Sequence, residues 1–197
     1  MYTDLNKGLT DEQKMLKQRT HEFAAQVLRP AAWELDKLSP EDVIAPGSRM
    51  RDVFRIAYEQ EFHLRGFPEA LGGAHLGPLE SHIVNEEMGW GASDFAVALA
   101  VTSFPFAFAS SQQNPDIMKD VVMPFAHDRK GEYIGCWAIT EPGHGSDTLM
   151  PGTPMWTNPD IHYGLTATAD GDEYVLSGQK SAWVSNGTIA THALAFL

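Results

Sequence analysis

The sequence predicts an α+β chain: an N-terminal helical domain over 1–130 followed by a partial antiparallel β domain over 131–197. Three observations predict it. Apolar residues recur at three- and four-residue steps through the first two-thirds of the chain. Near Lys130-Gly131 the pattern changes to short apolar runs rich in β-branched and aromatic residues. The strands follow the helices rather than alternating with them, which argues against a wound α/β sheet.

The helices are justified in order. Thr10 with Gln13 forms a capping-box pattern, and Asp11 and Glu12 suit a helix N-terminus. Leu16, Arg19, Phe23 and Val27 then keep helical spacing, until Pro30 kinks the element, ends it or starts another. Ser39-Pro40 and Ala45-Pro46-Gly47 mark a loop. Met50, Val53, Phe54, Ala57 and Tyr58 form a second stripe. Beyond the glycine-rich 66–77 connection, Pro78 fits the first position of a third helix carrying Leu79, Ile83, Val84 and Glu87. Ser93-Asp94 caps a fourth, apolar helix to about Ser110. Asn114-Pro115 opens a fifth, with Ile117, Met118, Val121, Val122 and Phe125 on one side.

Four strands are expected, at 133–140, 173–177, 182–185 and 192–197, the second entered through an Asp170-Gly171-Asp172 turn. The last run has no charge and no polar stop after Leu197, so the sequence reads as cut short, with an apolar edge that needs a partner.

Composition narrows the function classes. A formal charge of −12 with scattered basic residues opposes nucleic-acid binding. One cysteine, Cys136, excludes an internal disulfide. With no basic-then-apolar leader, it points to a cytoplasmic protein. No apolar run approaches the roughly 18 residues of a membrane span. Eight histidines are present without a His-Glu-x-x-His pattern, so no metal site is expected.

Two stretches carry chemistry. Thr140-Glu141-Pro142-Gly143-His144-Gly145-Ser146-Asp147 follows an apolar strand. Its glycines permit close backbone approach and positive φ, and turn amides with a serine hydroxyl can bind phosphate oxygens. It is neither a dinucleotide GxGxxG nor a P-loop. On glycine spacing alone, a plain polar turn explains it better. In Gly178-Gln179-Lys180-Ser181-Ala182-Trp183-Val184-Ser185-Asn186-Gly187, Trp183 and Ser185 fall two apart on one strand face. An indole can pack beside a planar ring system and a hydroxyl can bond its edge, although an isolated tryptophan is more often core.

In this order, the two stretches resemble the acyl-CoA dehydrogenase family. So do Gly66-Phe67-Pro68-Glu69-Ala70-Leu71-Gly72-Gly73 and Glu86-Glu87-Met88, and the resemblance covers the chain from Leu9 onward. It implies an FAD-binding oxidoreductase in which a helical domain, a β domain and a further helical domain enclose the cofactor. Matched residue by residue, Trp137, Ile139 and Thr140 would contact the flavin pyrimidine. Gly145 and Ser146 would meet the FAD phosphate, with Ser146 also on the CoA portion of the substrate. Trp183, Val184 and Ser185 would flank the flavin. The implied reaction removes an α-proton of an acyl-CoA thioester with a carboxylate and passes the β-hydride to flavin N5. An electron acceptor such as an electron-transfer flavoprotein, and a homo- or hetero-oligomer, are implied partners.

The family's catalytic glutamate would lie beyond Leu197, so no catalytic residue is expected in this chain. Glu86 and Glu87 match no family base, and Glu141 conforms to the motif as a structural residue. His144 and Met150 stand where the family has smaller residues, and the 148–170 stretch reads as an insertion. Phe104, Phe106 and Phe108 read as core rather than as the walls of an acyl pocket. Three readings follow: a dehydrogenase inactive as this chain alone, a non-catalytic flavin-binding subunit completed by a partner, and a related flavin-dependent oxidase or monooxygenase.

Overall fold

A computed structural model describes residues 8–146, 152, 157–181 and 184–197. Helix α1 (Asp11–Phe23) opens on the expected capping box. The Gln13 N–H donates to Thr10 Oγ1 at 3.2 Å, and the Thr10 N–H donates to Gln13 Oε1 at 3.0 Å. The helix does not stop at Pro30. It passes through a π-helical turn (Ala24–Leu28) into α2 (Arg29–Leu35). A proline ring clashes with the carbonyl four residues back and removes a donor, and a widened turn just ahead relieves both problems. The same device recurs where α8 (Pro115–Ile117) runs through a π turn (Met118–Val122) into α9 (Met123–His127), which contains Pro124.

Between them lie α3 (Pro40–Ile44), α4 (Arg49–Glu59), α5 (Pro78–Gly91), α6 (Ser93–Val101) and α7 (Phe104–Ser111). The α4 stripe is as expected: Val53, Phe54, Ala57 and Tyr58 are buried and Met50 is half-buried. On α5, Pro78 takes the first turn, and Ile83, Val84, Glu87 and Met88 face inward. Val53, Phe54, Ala57, Tyr58, Val84 and Met88 join Leu28, Leu64, Phe106, Phe125 and Ile134 in the core.

The single helix expected from Ser93 to Ser110 is two. A turn at Thr102-Ser103 breaks it, because Pro105 takes the first turn of α7 and cannot sit deeper in a continuous helix. The Ser93–Ser111 stretch is, by length and composition alone, apolar enough to cross a membrane. That differs from the expectation that no run comes near a membrane span. Phe95, Leu99 and Phe106 of this stretch are buried in the protein's own core.

Strand β1 (Gly135–Ala138) pairs with β4 (His192–Ala195) in parallel, and β2 (Thr166–Asp170) pairs with β3 (Glu173–Ser177) in antiparallel register. The β region is therefore mixed, and β4 is covered on one edge by β1. β2 lies in the stretch read as an insertion and was not expected. Thr166-Ala167-Thr168-Ala169-Asp170 carries too little apolar content to read as a strand, and every residue of the hairpin is exposed. Gly171 makes the expected turn at φ 64°.

Candidate functional site

The chain reaches β1 through a carboxylate hub. The Asp128 carboxylate accepts four backbone N–H groups, from Lys130 (2.7 Å), Gly131 (3.1 Å), Glu132 (2.7 Å) and Tyr133 (2.8 Å). The Tyr58 hydroxyl then donates to the Tyr133 carbonyl at 2.5 Å, tying this entry to α4. At Gly135 the strand lies so close to the α6–α7 turn that a Cβ would overlap the Thr102 carbonyl oxygen and come within 2.6 Å of the Pro105 ring. Only glycine allows that approach.

The two motifs separated in sequence meet here. The Ser181 N–H donates to the Thr140 carbonyl at 2.8 Å. Lys180 Nζ lies 2.7 Å from Glu141 Oε1 and 3.4 Å from the Ile139 carbonyl oxygen. Glu141 also accepts the Gly164 and Leu165 N–H groups, at 2.5 and 3.1 Å. Burial opposes ionisation of Glu141. The Lys180 hydrogen bond and the two backbone donors outweigh it and hold the carboxyl below its usual range. Gly178, at φ 137°, lets the backbone pass against Gly164, where a Cβ would lie 2.5 Å from the Gly164 carbonyl oxygen.

The Glu141–His144 turn closes on itself, with the Glu141 N–H on the His144 carbonyl at 2.8 Å and the return bond at 3.2 Å. Neither Gly143 nor Gly145 takes a positive φ, contrary to the reason offered for them from sequence. A Cβ at either would meet nothing within 4 Å, so what these glycines provide is open space. His144 Nε2 lies 3.2 Å from the His162 carbonyl oxygen, and its ring is 5.4 Å from that of Tyr163. The extra segment thus packs on the turn.

The remaining candidates distribute as follows. Trp137 sits on β1, its ring edge-on to Phe104 at 5.2 Å, and its buried indole N–H has no hydrogen-bond partner among the described residues. Ile139 is buried and Thr140 half-buried, while Gly145 is half-buried and Ser146 exposed. Trp183 lies outside the described residues. The strand expected at 182–185 is, at Val184 and Ser185, a loop entering a turn. Its cause is Asn186, to which the sequence alone assigned no role. Asn186 adopts φ 65° and places Nδ2 2.8 Å from the Ala98 carbonyl, 3.0 Å from Thr102 Oγ1 and 3.1 Å from the Gly135 carbonyl. An Asn-Gly pair beside a tryptophan was the available signal, since asparagine tolerates the left-handed region and ends a strand.

Residues 10–122 match the family model for the acyl-CoA dehydrogenase N-terminal domain. The chain belongs to the acyl-CoA dehydrogenase family. It is 31% identical over 193 residues to the mitochondrial short-chain specific acyl-CoA dehydrogenase of Rattus norvegicus, covering 95% of this chain and 40% of that protein. Among solved structures, glutaryl-CoA dehydrogenase from Mycobacterium smegmatis aligns with a TM-score of 0.73 at 22% identity, over 97% of this chain and 43% of the other. An FAD complex of an acyl-CoA dehydrogenase from Bacillus anthracis aligns at 0.68 and 23% identity, over 96% of this chain and 29% of the other. The helical-then-stranded order is thus the family fold, and the chain spans about 40% of the length of its curated relatives.

FAD is the cofactor of this family, and the residues present fit it. A buried indole N–H without an acceptor among the described residues lies on β1, and two glycines open onto free space in the turn that follows, the segments that the resemblance assigns to the flavin. The carboxylates fit a catalytic role poorly. Glu87 is buried against His21 Nδ1 at 2.7 Å and Lys17 Nζ at 3.4 Å. Glu86 faces Lys17 at 3.9 Å, and Glu141 is held by Lys180.

Proposed function

We propose that this chain forms the flavin-facing wall of an FAD-dependent acyl-CoA dehydrogenase, acting between the α and β carbons of an acyl-CoA thioester. The observation that carries this reading is the Ser181–Thr140 hydrogen bond, which draws the strand-and-turn motif and the Trp-Val-Ser motif into one site. Trp137, Ile139 and Thr140 would line one side of the flavin ring, and Trp183, Val184 and Ser185 the other. Gly145 and Ser146 would take phosphate oxygens, with Ser146 reaching the CoA portion of the substrate. FAD, when bound, supplies the hydride acceptor.

The α-proton is taken by a group outside the residues described. Glu86, Glu87 and Glu141 are each committed to a cation, and a base must reach its proton before its pKa matters. We therefore read this chain as completed by further helices, from the same polypeptide or a partner subunit, and as reoxidised by an electron acceptor such as an electron-transfer flavoprotein. The test is a fluorescence titration of FAD with the chain, followed by anaerobic mixing with acyl-CoA thioesters. Weak saturable binding, further weakened by Thr140→Val, with the flavin staying oxidised, is the expected result. Binding that ignores Thr140→Val, or bleaching by this chain alone, overturns it.

A further inference from the structure

The helical part contains a cavity of about 170 Å³ that shares no residue with the flavin-facing segments. It lies between α1, the turn after α4, the 72–76 loop and α5. Leu16, Phe62, Leu76 and Val84 give it apolar walls, and two arginines, Arg19 and Arg65, also line it. The lining carboxylate, Glu61, is already bound to Arg129 at 2.7 Å.

Arg65 is half-buried. Its polar partners are neutral: Nη2 donates to Asn85 Oδ1 at 2.9 Å, and Nη1 lies 3.3 Å from Met88 Sδ. Among the described residues no carboxylate lies within salt-bridge distance of Arg65 or of the exposed Arg19. A guanidinium withdrawn from water without a counter-charge is costly, and burial lowers the Arg65 pKa accordingly. The chain as a whole carries −12, so two uncompensated cations at one cavity run against the global field.

We propose that this cavity binds a small organic carboxylate, its anionic head on Arg65 and Arg19 and its apolar body against Leu16, Phe62, Leu76 and Val84. Guanidinium groups bind carboxylates through paired N–H donors. Dry cavities of about 150 Å³ accept a benzene ring, so this one accommodates an aromatic ring or a short alkyl chain. Inorganic phosphate would satisfy the cations and leave the apolar walls uncovered. A neutral hydrocarbon would do the reverse.

Calorimetric titration of the 197-residue chain with benzoate, benzamide and phosphate tests the proposal. Benzoate should saturate, and benzamide and phosphate should bind at least about tenfold more weakly. Arg65→Gln should abolish the preference for benzoate over benzamide. Arg19→Gln, at an exposed position, should keep the wild-type circular dichroism spectrum and weaken benzoate about tenfold. That variant keeps the test decisive even if Arg65→Gln unfolds. Equal affinity for benzoate and benzamide shows that charge is irrelevant. Equal affinity for phosphate shows that the apolar walls are. Full benzoate affinity in Arg19→Gln, or no saturation, likewise overturns the proposal.

Discussion

Lys180 spans 39 residues of sequence to place its ammonium 2.7 Å from Glu141, whose side chain is 2% exposed. With the Ser181–Thr140 backbone bond, this ion pair fastens the turn that would meet phosphate to the stretch that would flank the flavin. Removing one member of a buried pair leaves the other uncompensated, at a cost of roughly 3–5 kcal/mol. Lys180→Met should therefore lower unfolding free energy by about 3 kcal/mol in urea melts. Glu141 adds an acid dependence. Its folded-state pKa is depressed, so its stabilisation is present above the ordinary carboxylate range and is lost as pH falls through the lowered value. Wild type and Glu141→Gln should converge in stability at low pH.

His63 sets a second acid dependence of the same sign, at higher pH. Its ring stacks on Tyr58 at 3.9 Å, meets Phe125 edge-on at 5.1 Å and is 2% exposed. Burial first, and the Arg129 charge second, bring its pKa down to about 4 from an ordinary 6.5. The folded state thus prefers the neutral ring. Stability is full above the unfolded-state value and falls as pH drops from 6.5 toward 4, by roughly 3 kcal/mol at most. His63→Phe should flatten that part of the pH–stability curve, measured as urea midpoints from pH 7 to 4.

What the sequence made legible follows periodicity and caps. The Thr10–Gln13 box, the α4 stripe and Pro78 at the head of α5 came from residues whose local preference agrees with their tertiary place. Strand β2 did not, because Thr166–Asp170 packs neither face and leaves no apolar alternation to detect. The break at Thr102-Ser103 had a local signal in Pro105, while the close approach of Gly135 to that turn joins residues far apart in sequence. The motif positions were legible only through resemblance. Their spacing alone did not announce that Ser181 would reach Thr140.

Asn186 is the residue whose importance the structure adds. Three acceptors on α6, the α6–α7 turn and β1 converge on one amide nitrogen. Asn186→Gly keeps the left-handed backbone and loses the hydrogen bonds. Asn186→Ala loses both. Leaving buried acceptors unpaired costs about 1–3 kcal/mol each, and a left-handed non-glycine residue about 1 kcal/mol more. Chemical denaturation should place Asn186→Ala about 1 kcal/mol below Asn186→Gly, and both at least 2 kcal/mol below wild type. Equal stability of wild type and Asn186→Gly would mean that the amide contributes nothing.

The β2–β3 hairpin should be the least protected regular structure among the described residues. Tyr174, Val175 and Leu176 are 73%, 54% and 59% exposed, although Tyr174 and Val175 have strong strand preference. A two-stranded hairpin without a packed face is marginal in water, and its open edges template pairing with another chain. β1 differs: it pairs with β4 and packs on the α6–α7 turn through Gly135. Hydrogen exchange on a dilute monomer should therefore show fast exchange at 166–177 and slow exchange at 53–58 and 134–138. Leu176→Lys should leave urea stability within about 0.5 kcal/mol, as for exposed sites generally, and raise the concentration at which the chain stays monomeric in sedimentation. Slow exchange at 166–177 in a dilute monomer, or a loss of several kcal/mol in Leu176→Lys, would show that the hairpin is packed within this chain rather than kept for a covering partner.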